Sequence, residues 1–160
     1  MFLFPIMQTS LRATERIVIG AFATEAMAGH KMIRRSEIHR ASGLSLPTIT
    51  SSLSRLSAMG CVDRTLDFWY PVPAVLLPML IERTVPEDGP WPLRYQMLTI
   101  PEQVAGLSPH LNVLYWARRA WPHLGKSDLA RVTGLSNQLI CRRFDQCGRP
   151  ASSAEPVLET

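Results

Sequence analysis

Apolar residues recur at helical spacing in three successive stretches of the first 60 residues. A long first helix is predicted from about residue 11 to residue 28. Ser36 is a favourable N-cap for a short second helix, and Gly43 can adopt the positive φ that a tight turn requires. Ser45 caps a third helix, which tolerates Pro47 in its first turn. The residues predicted to face inward are Ile17, Ala21, Phe22, Ile38, Ala41, Ile49, Leu53 and Leu56.

After these helices the pattern changes to two short runs rich in β-formers, at residues 61–64 and 68–72. Such runs around a turn at residues 65–67 predict a pair of strands. Two strands that directly follow three helices indicate a β-wing. The first seven residues are also apolar, and we expect them to pack as an arm.

The segment SEIHRASGLS at residues 36–45 is matched by SDLARVTGLS at residues 127–136, with five identical positions. The match continues beyond the segment, where Ile49 corresponds to Ile140 and Leu53 to Phe144. A helix is predicted at about residues 109–120, in front of the second copy. The repeat therefore predicts a second three-helix unit, and no strand pair is predicted after it.

Between the two copies, residues 71–109 hold eight of the thirteen prolines. Residues 73–83 would be apolar on nearly every face of a helix, so this short helix must be covered by the core or by a second subunit. The predicted fold class is mainly α, with two tandem helix-turn-helix units, a short β-wing on the first, and a Pro-rich segment joining them. The predicted domains are residues 1–72, a connector 73–107, residues 108–150 and a flexible tail 151–160.

The net charge is +4, and the basic residues fall in two regions. Residues 12–64 carry eight basic and four acidic side chains, residues 65–107 two and five, and residues 108–149 seven and two. Each basic region coincides with one copy of the repeat. This coincidence favours binding to phosphates over two merely solvated surfaces.

Composition restricts the other function classes. The 46% of hydrophobic residues is typical of a globular protein, and no apolar run approaches the ~20 residues that span a bilayer. The three cysteines lack zinc-site spacing and cannot all pair, which favours a reduced, cytoplasmic compartment, here the bacterial nucleoid. The four histidines are scattered and no Gly-rich phosphate loop is present, so we expect no enzyme, no cofactor and no metal.

Residues 36–62 resemble the winged-helix DNA-binding domain of bacterial transcription regulators of the MarR type. The resemblance implies a recognition helix in the major groove and a wing on the adjacent backbone. The residues that carry it are Gly43, Leu44, Ser45, Leu46, Pro47, Thr48, Ile49, Thr50, Leu53, Arg55, Leu56, Gly60, Cys61 and Val62.

The outward positions of the two third helices are the candidate base contacts. In the first copy they are mostly hydroxyls, which can bond phosphates or several base edges, or can be merely solvated. In the second copy, Asn and Gln can bond adenine and Arg guanine, although the two amides could instead complete a helix cap. The candidates are Ser45, Leu46, Pro47, Thr48, Thr50, Ser51, Ser54 and Arg55 in the first copy, and Ser136, Asn137, Gln138, Cys141, Arg142 and Arg143 in the second.

Basic residues near helix starts and the wing are candidate phosphate contacts, because helix N-termini carry partial positive charge. They are Arg34, Arg35, Arg64 and Lys126. The sequence therefore predicts a double-stranded DNA-binding transcription regulator, expected as a homodimer. Two alternatives stay open: a plasmid replication or partition protein, and a winged-helix protein-interaction adaptor.

Overall fold

The first helix, predicted from about residue 11 to residue 28, is observed at Ala13–Met27, and the third begins directly after Ser45 as predicted. The computed structural model describes residues 1–83 and 91–147, which are mainly helical with two small antiparallel sheets. The first elements are strand β1 (Phe2–Pro5), helices α1 (Ala13–Met27), α2 (Arg35–Ser42) and α3 (Leu46–Ala58), and strands β2 (Val62–Thr65) and β3 (Phe68–Pro71). We refer to α1–α3 with β2 and β3 as the first unit.

The remaining elements belong to the middle segment and to the second copy of the repeat. They are helix α4 (Pro73–Leu76), a 3-10 turn (Leu77–Met79), helix α5 (Trp91–Arg94), strand β4 (Met97–Ile100), and helices α6 (Pro109–Ala120), α7 (Lys126–Thr133) and α8 (Asn137–Cys147). The sequence did not predict α5 or β4. Helices α6–α8 form the second unit. The predicted helix at residues 109–120 is confirmed. The predicted tail, residues 148–150 and the side chain of Cys147 lie outside the described part of the chain.

Two local predictions were wrong. The second helix is capped by Arg34 rather than Ser36, because the carboxylate of Glu37 accepts a hydrogen bond from the Arg34 amide at 2.7 Å and satisfies a donor at the helix start. The apolar helix predicted at residues 73–83 ends early. Pro78 has no amide hydrogen to donate, and the chain is extended from Leu80 onward.

The apolar arm at the N-terminus is a strand. β1 pairs antiparallel with β4, with Phe2 opposite Ile100 and Pro5 opposite Met97. β1 also packs on α1, where a side chain at Gly20 would collide with the Leu3 carbonyl and the Phe2 ring. The arm therefore joins the start of the chain to the middle segment.

One hydrophobic core runs through both units and the middle segment. Leu76 and Leu80 are buried in it, so the apolar residues after the wing are covered within the chain. No described helix has both the length and the apolar character needed to cross a membrane. The largest fully buried side chains are those of Phe4, Ile17, Ile19, Ile33, Ile38, Ile49, Leu53, Leu56, Leu76, Leu114, Leu129 and Ile140.

Candidate nucleic-acid interface

The turn between α2 and α3 is set by a glycine and the hydroxyl before it. Gly43 has φ 78° and ψ 0°, a left-handed conformation that favours glycine. The Ser42 hydroxyl donates to the Ile38 carbonyl at 2.6 Å and accepts from the Leu44 amide at 3.1 Å. The hydroxyl thus bonds groups on both sides of the turn and fixes where α3 begins.

The turn between α7 and α8 has the same geometry. Gly134 has φ 77° and ψ 5°, and the Thr133 hydroxyl donates to the Leu129 carbonyl at 2.6 Å and accepts from the Leu135 amide at 3.1 Å. The role of Ser42 and Thr133 was missed in the sequence. The available signal was a hydroxyl residue directly before the turn glycine in both copies.

Helix α3 divides into a buried face and an exposed face. Ser45 caps the helix by accepting from the Thr48 amide at 3.4 Å, as predicted. Ile49, Leu53 and Leu56 are fully buried, and the opposite face points outward. Its exposed candidates are Leu46, Pro47, Thr50, Ser51 and Ser54, and Thr48 is half-buried.

A cleft of about 890 Å³ lies between α3, the start of α2 and the strand pair β2–β3, which is the predicted wing. Arg34, Arg35 and Arg64 line it together with one acidic residue, Asp67. Arg35 donates from its guanidinium to the Thr50 hydroxyl at 2.8 Å, which ties the basic edge to the exposed face of α3. The structure therefore brings three of the four predicted phosphate contacts together.

Aromatic rings on the wing hold two of these arginines. The Arg34 guanidinium lies 4.6 Å from the centre of the Phe68 ring, and that of Arg64 lies 5.4 Å from the centre of the Trp69 ring. Stacking of this kind orients a guanidinium without neutralising its charge. At the tip of the wing, Leu66 is 86% exposed and has a positive φ of 57°.

Arg55 pairs with a buried carboxylate, although 45% of its own side chain is exposed. Its guanidinium donates from both Nε and Nη2 to the buried Glu15 carboxylate in α1, with an Nε–Oε2 distance of 3.0 Å. A buried carboxylate needs such a partner because desolvation penalises its charge. The structure thus gives this predicted DNA contact a role in attaching α3 to α1.

Helix α8 presents the second set of candidates on one surface. Asn137, Gln138, Cys141 and Arg142 are exposed and line a shallow depression of about 430 Å³, while Ile140 on the opposite face is buried. Arg143 is also exposed. The Ser136 hydroxyl accepts from the Leu139 amide at 3.2 Å, which is the helix-capping bond. The two amide side chains are therefore not needed for the cap.

Lys126, the predicted phosphate contact of the second unit, is the first residue of α7. Its ammonium lies 5.2 Å from the centre of the Phe144 ring, and the Arg118 guanidinium lies 3.7 Å from the same ring. The cation is exposed, and the ring orients it.

The described ranges 1–83 and 91–147 contain no group of three His, Cys, Asp or Glu side chains placed to hold a metal ion. Burial raises the pKa of the Cys61 thiol, which lies in the core, whereas Cys141 is exposed on α8.

Comparison with known proteins gives no match: no family model, no curated protein and no solved structure is similar to this chain.

Proposed function

We propose that this chain is a sequence-specific double-stranded DNA-binding protein that regulates transcription, and that its two units are helix-turn-helix units, the first with a wing. The observation that carries the proposal is the duplicated turn. Gly43 and Gly134 share one backbone conformation, and the hydroxyls before them make the same two hydrogen bonds. In each case the turn places a helix with one buried and one exposed polar face.

The charge at the first unit supports contact with a nucleic-acid backbone. A cleft with three arginines and one aspartate lies beside α3 and the wing. In a winged-helix complex the recognition helix occupies the major groove, which is about 12 Å wide. The arginines then stand at the edge of the groove, where the phosphates are.

The exposed face of α8 supports base recognition. Asn137, Gln138 and Arg142 supply the side chains that bond two positions of one base edge, worth about 1–3 kcal/mol each against the wrong base. A surface that only keeps a protein in solution does not require amides and guanidinium at adjacent outward positions. No cofactor is part of the proposal.

Selection of bound duplexes from a random pool tests the proposal. We expect one enriched sequence, with affinity that falls steeply with salt, because each phosphate contact contributes about −0.9 to the slope of log K against log salt. Combined replacement of Arg34, Arg35 and Arg64 by Ala should reduce that slope. Arg94→Ala is the matched control, since Arg94 is an exposed arginine in α5, outside both units.

The outcomes separate the alternatives. Enriched sites that map to promoters support regulation, whereas iterated sites at a replication origin support a replication or partition protein. Failure to retain any duplex at low salt contradicts DNA binding and favours a protein-interaction adaptor. The homodimer and the location in the bacterial cytoplasm stay predictions of the sequence, and the number of chains bound to one duplex tests the first of them.

A further inference from the structure

The two units touch each other through equivalent parts. The turn glycine of the first unit, Gly43, lies against Pro109 at the start of α6, and a Cβ on it would be 3.4 Å from the Pro109 ring. The turn glycine of the second unit, Gly134, accepts a hydrogen bond from the amide of Ala13, the first residue of α1, at 3.1 Å. Each turn thus contacts the start of the first helix of the other unit.

The strands that precede the two units repeat this relation. Seven residues separate β1 from α1, and eight separate β4 from α6. Each strand packs on the first helix of its own unit, and the two strands pair antiparallel along their full length. Exchanging the units would convert the pair Phe2 and Ile100 into the pair Met97 and Pro5, which is also present. The strand pair and the turn contacts are therefore both preserved when the two units are exchanged, as an approximate two-fold relation between the units requires.

Polar bonds fix the units on each other. Arg16 in α1 is 2% exposed and donates to the carbonyls of Val132 at 2.9 Å and of Arg131 at 3.4 Å, in the last turn of α7. The Thr14 hydroxyl bonds the His110 imidazole of α6 at 2.7 Å. A buried guanidinium is stable here because carbonyls at a helix C-terminus carry partial negative charge. Separating the units would break the bonds of Arg16 to α7, while its bonds to the carbonyls of Leu11 and Thr9 would remain.

Duplex DNA has two-fold axes perpendicular to its own axis, so two recognition units related by a two-fold fit two half-sites in inverted orientation. We infer that one chain, acting alone, occupies one bipartite site of two inverted half-sites with unequal sequences. The inference rests on the proposed DNA-binding function and adds the class of site and the number of chains on it.

The two half-sites are expected to differ because the exposed faces of α3 and α8 carry different side chains. Helix α3 presents Thr50, Ser51 and Ser54, whose hydroxyls can bond the edges of several different bases. Helix α8 presents Asn137, Gln138 and Arg142, whose side chains discriminate between bases. One half-site is therefore weakly specified and flanked by the contacts of the wing. The other is strongly specified. A dimer of identical single units would instead select two equal half-sites.

The test uses the full chain and the duplex enriched by the selection. Native mass spectrometry should give one chain per duplex. Reversing one half-site, so that the two become direct repeats, should weaken binding at least tenfold. Half-sites in successive grooves lie about 10 bp apart, so inserting five base pairs between them rotates one half-site by about half a turn relative to the other. This insertion should also reduce the affinity for the duplex at least tenfold.

Two variants assign each half-site to its unit. Arg142→Ala should relax base preference in the strongly specified half-site only, and Thr50→Val in the other only. Two chains per site, equal affinity for direct and inverted repeats, tolerance of the five-pair insertion, relaxation of both half-sites by either variant, or one chain bridging two duplexes would each overturn the inference. Recovery of no duplex would instead overturn the proposed function beneath it.

Discussion

The guanidinium of Arg16 in the first unit donates to the Val132 carbonyl in the second unit at 2.9 Å, and its Nε and Nη2 donate to the carbonyls of Leu11 and Thr9 at 2.8 Å. Burial lowers the pKa of this guanidinium, and the carbonyls of both units compensate for the lost water. A single side chain of α1 therefore bonds both the segment between β1 and α1 and the second unit.

Replacing Arg16 with Met should destabilise the whole protein. Four carbonyls would lose their donor, that of Leu11 in a buried bond and the others in partly buried bonds, which costs about 3 kcal/mol in the free energy of unfolding. Urea denaturation followed by circular dichroism measures the change. The control is Arg131→Met, because the Arg131 side chain is 72% exposed and pairs with the surface carboxylate of Asp128. An equal loss in both variants would contradict the role of Arg16.

The two turn glycines should respond differently to alanine. Both have φ near +78°, so each substitution costs about 1–2 kcal/mol from the backbone alone. At Gly134 the new Cβ would also lie 2.8 Å from the Leu11 carbonyl and 3.0 Å from the Ala13 amide, which adds about 1–3 kcal/mol of overpacking. At Gly43 it would meet only the Pro109 ring, at 3.4 Å.

Thermal unfolding of the two glycine variants, measured side by side, makes each the control of the other. The midpoint for Gly134→Ala should lie below that for Gly43→Ala by several degrees. Equal midpoints would show that the second turn does not rest on α1.

Local features of the fold could be predicted from the sequence because they depend on local periodicity. The spacing of Ile49, Leu53 and Leu56 predicts the buried face of α3, and the glycines at 43 and 134 predict the two turns. These signals need only the physical chemistry of neighbouring residues.

Long-range contacts left no such signal. The pairing of β1 with β4 joins residues more than 90 positions apart, and the ends of both strands carry apolar side chains that would suit many partners. Arg55 has an outward position on the predicted third helix, yet its guanidinium bonds Glu15, 40 residues earlier. An arginine on an outward position can serve a phosphate or a buried carboxylate, and only the fold decides between them.

Arg55→Gln should therefore affect folding. Glu15 would keep only Arg12, at 3.6 Å, as a partner, so we expect a loss of about 1–3 kcal/mol in stability. Arg64→Gln is the matched control, because Arg64 lies in the cleft and is exposed. It should leave the unfolding free energy nearly unchanged and weaken binding to any duplex. Weaker DNA binding with unchanged stability in Arg55→Gln, and lower stability in Arg64→Gln, would instead indicate that Arg55 contacts DNA.

His110 should make stability depend on pH. Burial lowers its pKa, and the nearby charge of Glu15 opposes this only in part. A histidine with a lowered pKa stays neutral in the folded protein while the unfolded chain takes up a proton below about pH 6.5. Its contribution to stability is therefore full above that pH and is lost as the pH falls, with a slope of at most about 1.4 kcal/mol per pH unit.

Urea denaturation at pH 7.5, 6.5 and 5.5 measures this loss. His110→Gln can keep a hydrogen bond to Thr14 and should flatten the decline between pH 6.5 and 5.5. His123→Gln changes an exposed histidine and provides the comparison. A wild-type decline that persists in His110→Gln would assign the effect to other groups.

Substitutions of Arg142 and of Arg35 should separate base recognition from phosphate binding. Arg142→Ala removes a guanidinium from the exposed face of α8, so discrimination at one base pair should fall by about 1–3 kcal/mol while other positions keep their preference. Arg35→Ala removes a charge from the cleft beside α3 and should weaken all sequences alike, with the salt slope reduced by about 1. Binding titrations on the selected site and its single-base variants, at three salt concentrations, measure both effects. Arg94→Ala should change neither. Loss of specificity in Arg35→Ala, or uniform weakening in Arg142→Ala, would refute the division of roles, because a phosphate contact carries no base information and a base contact releases few counterions.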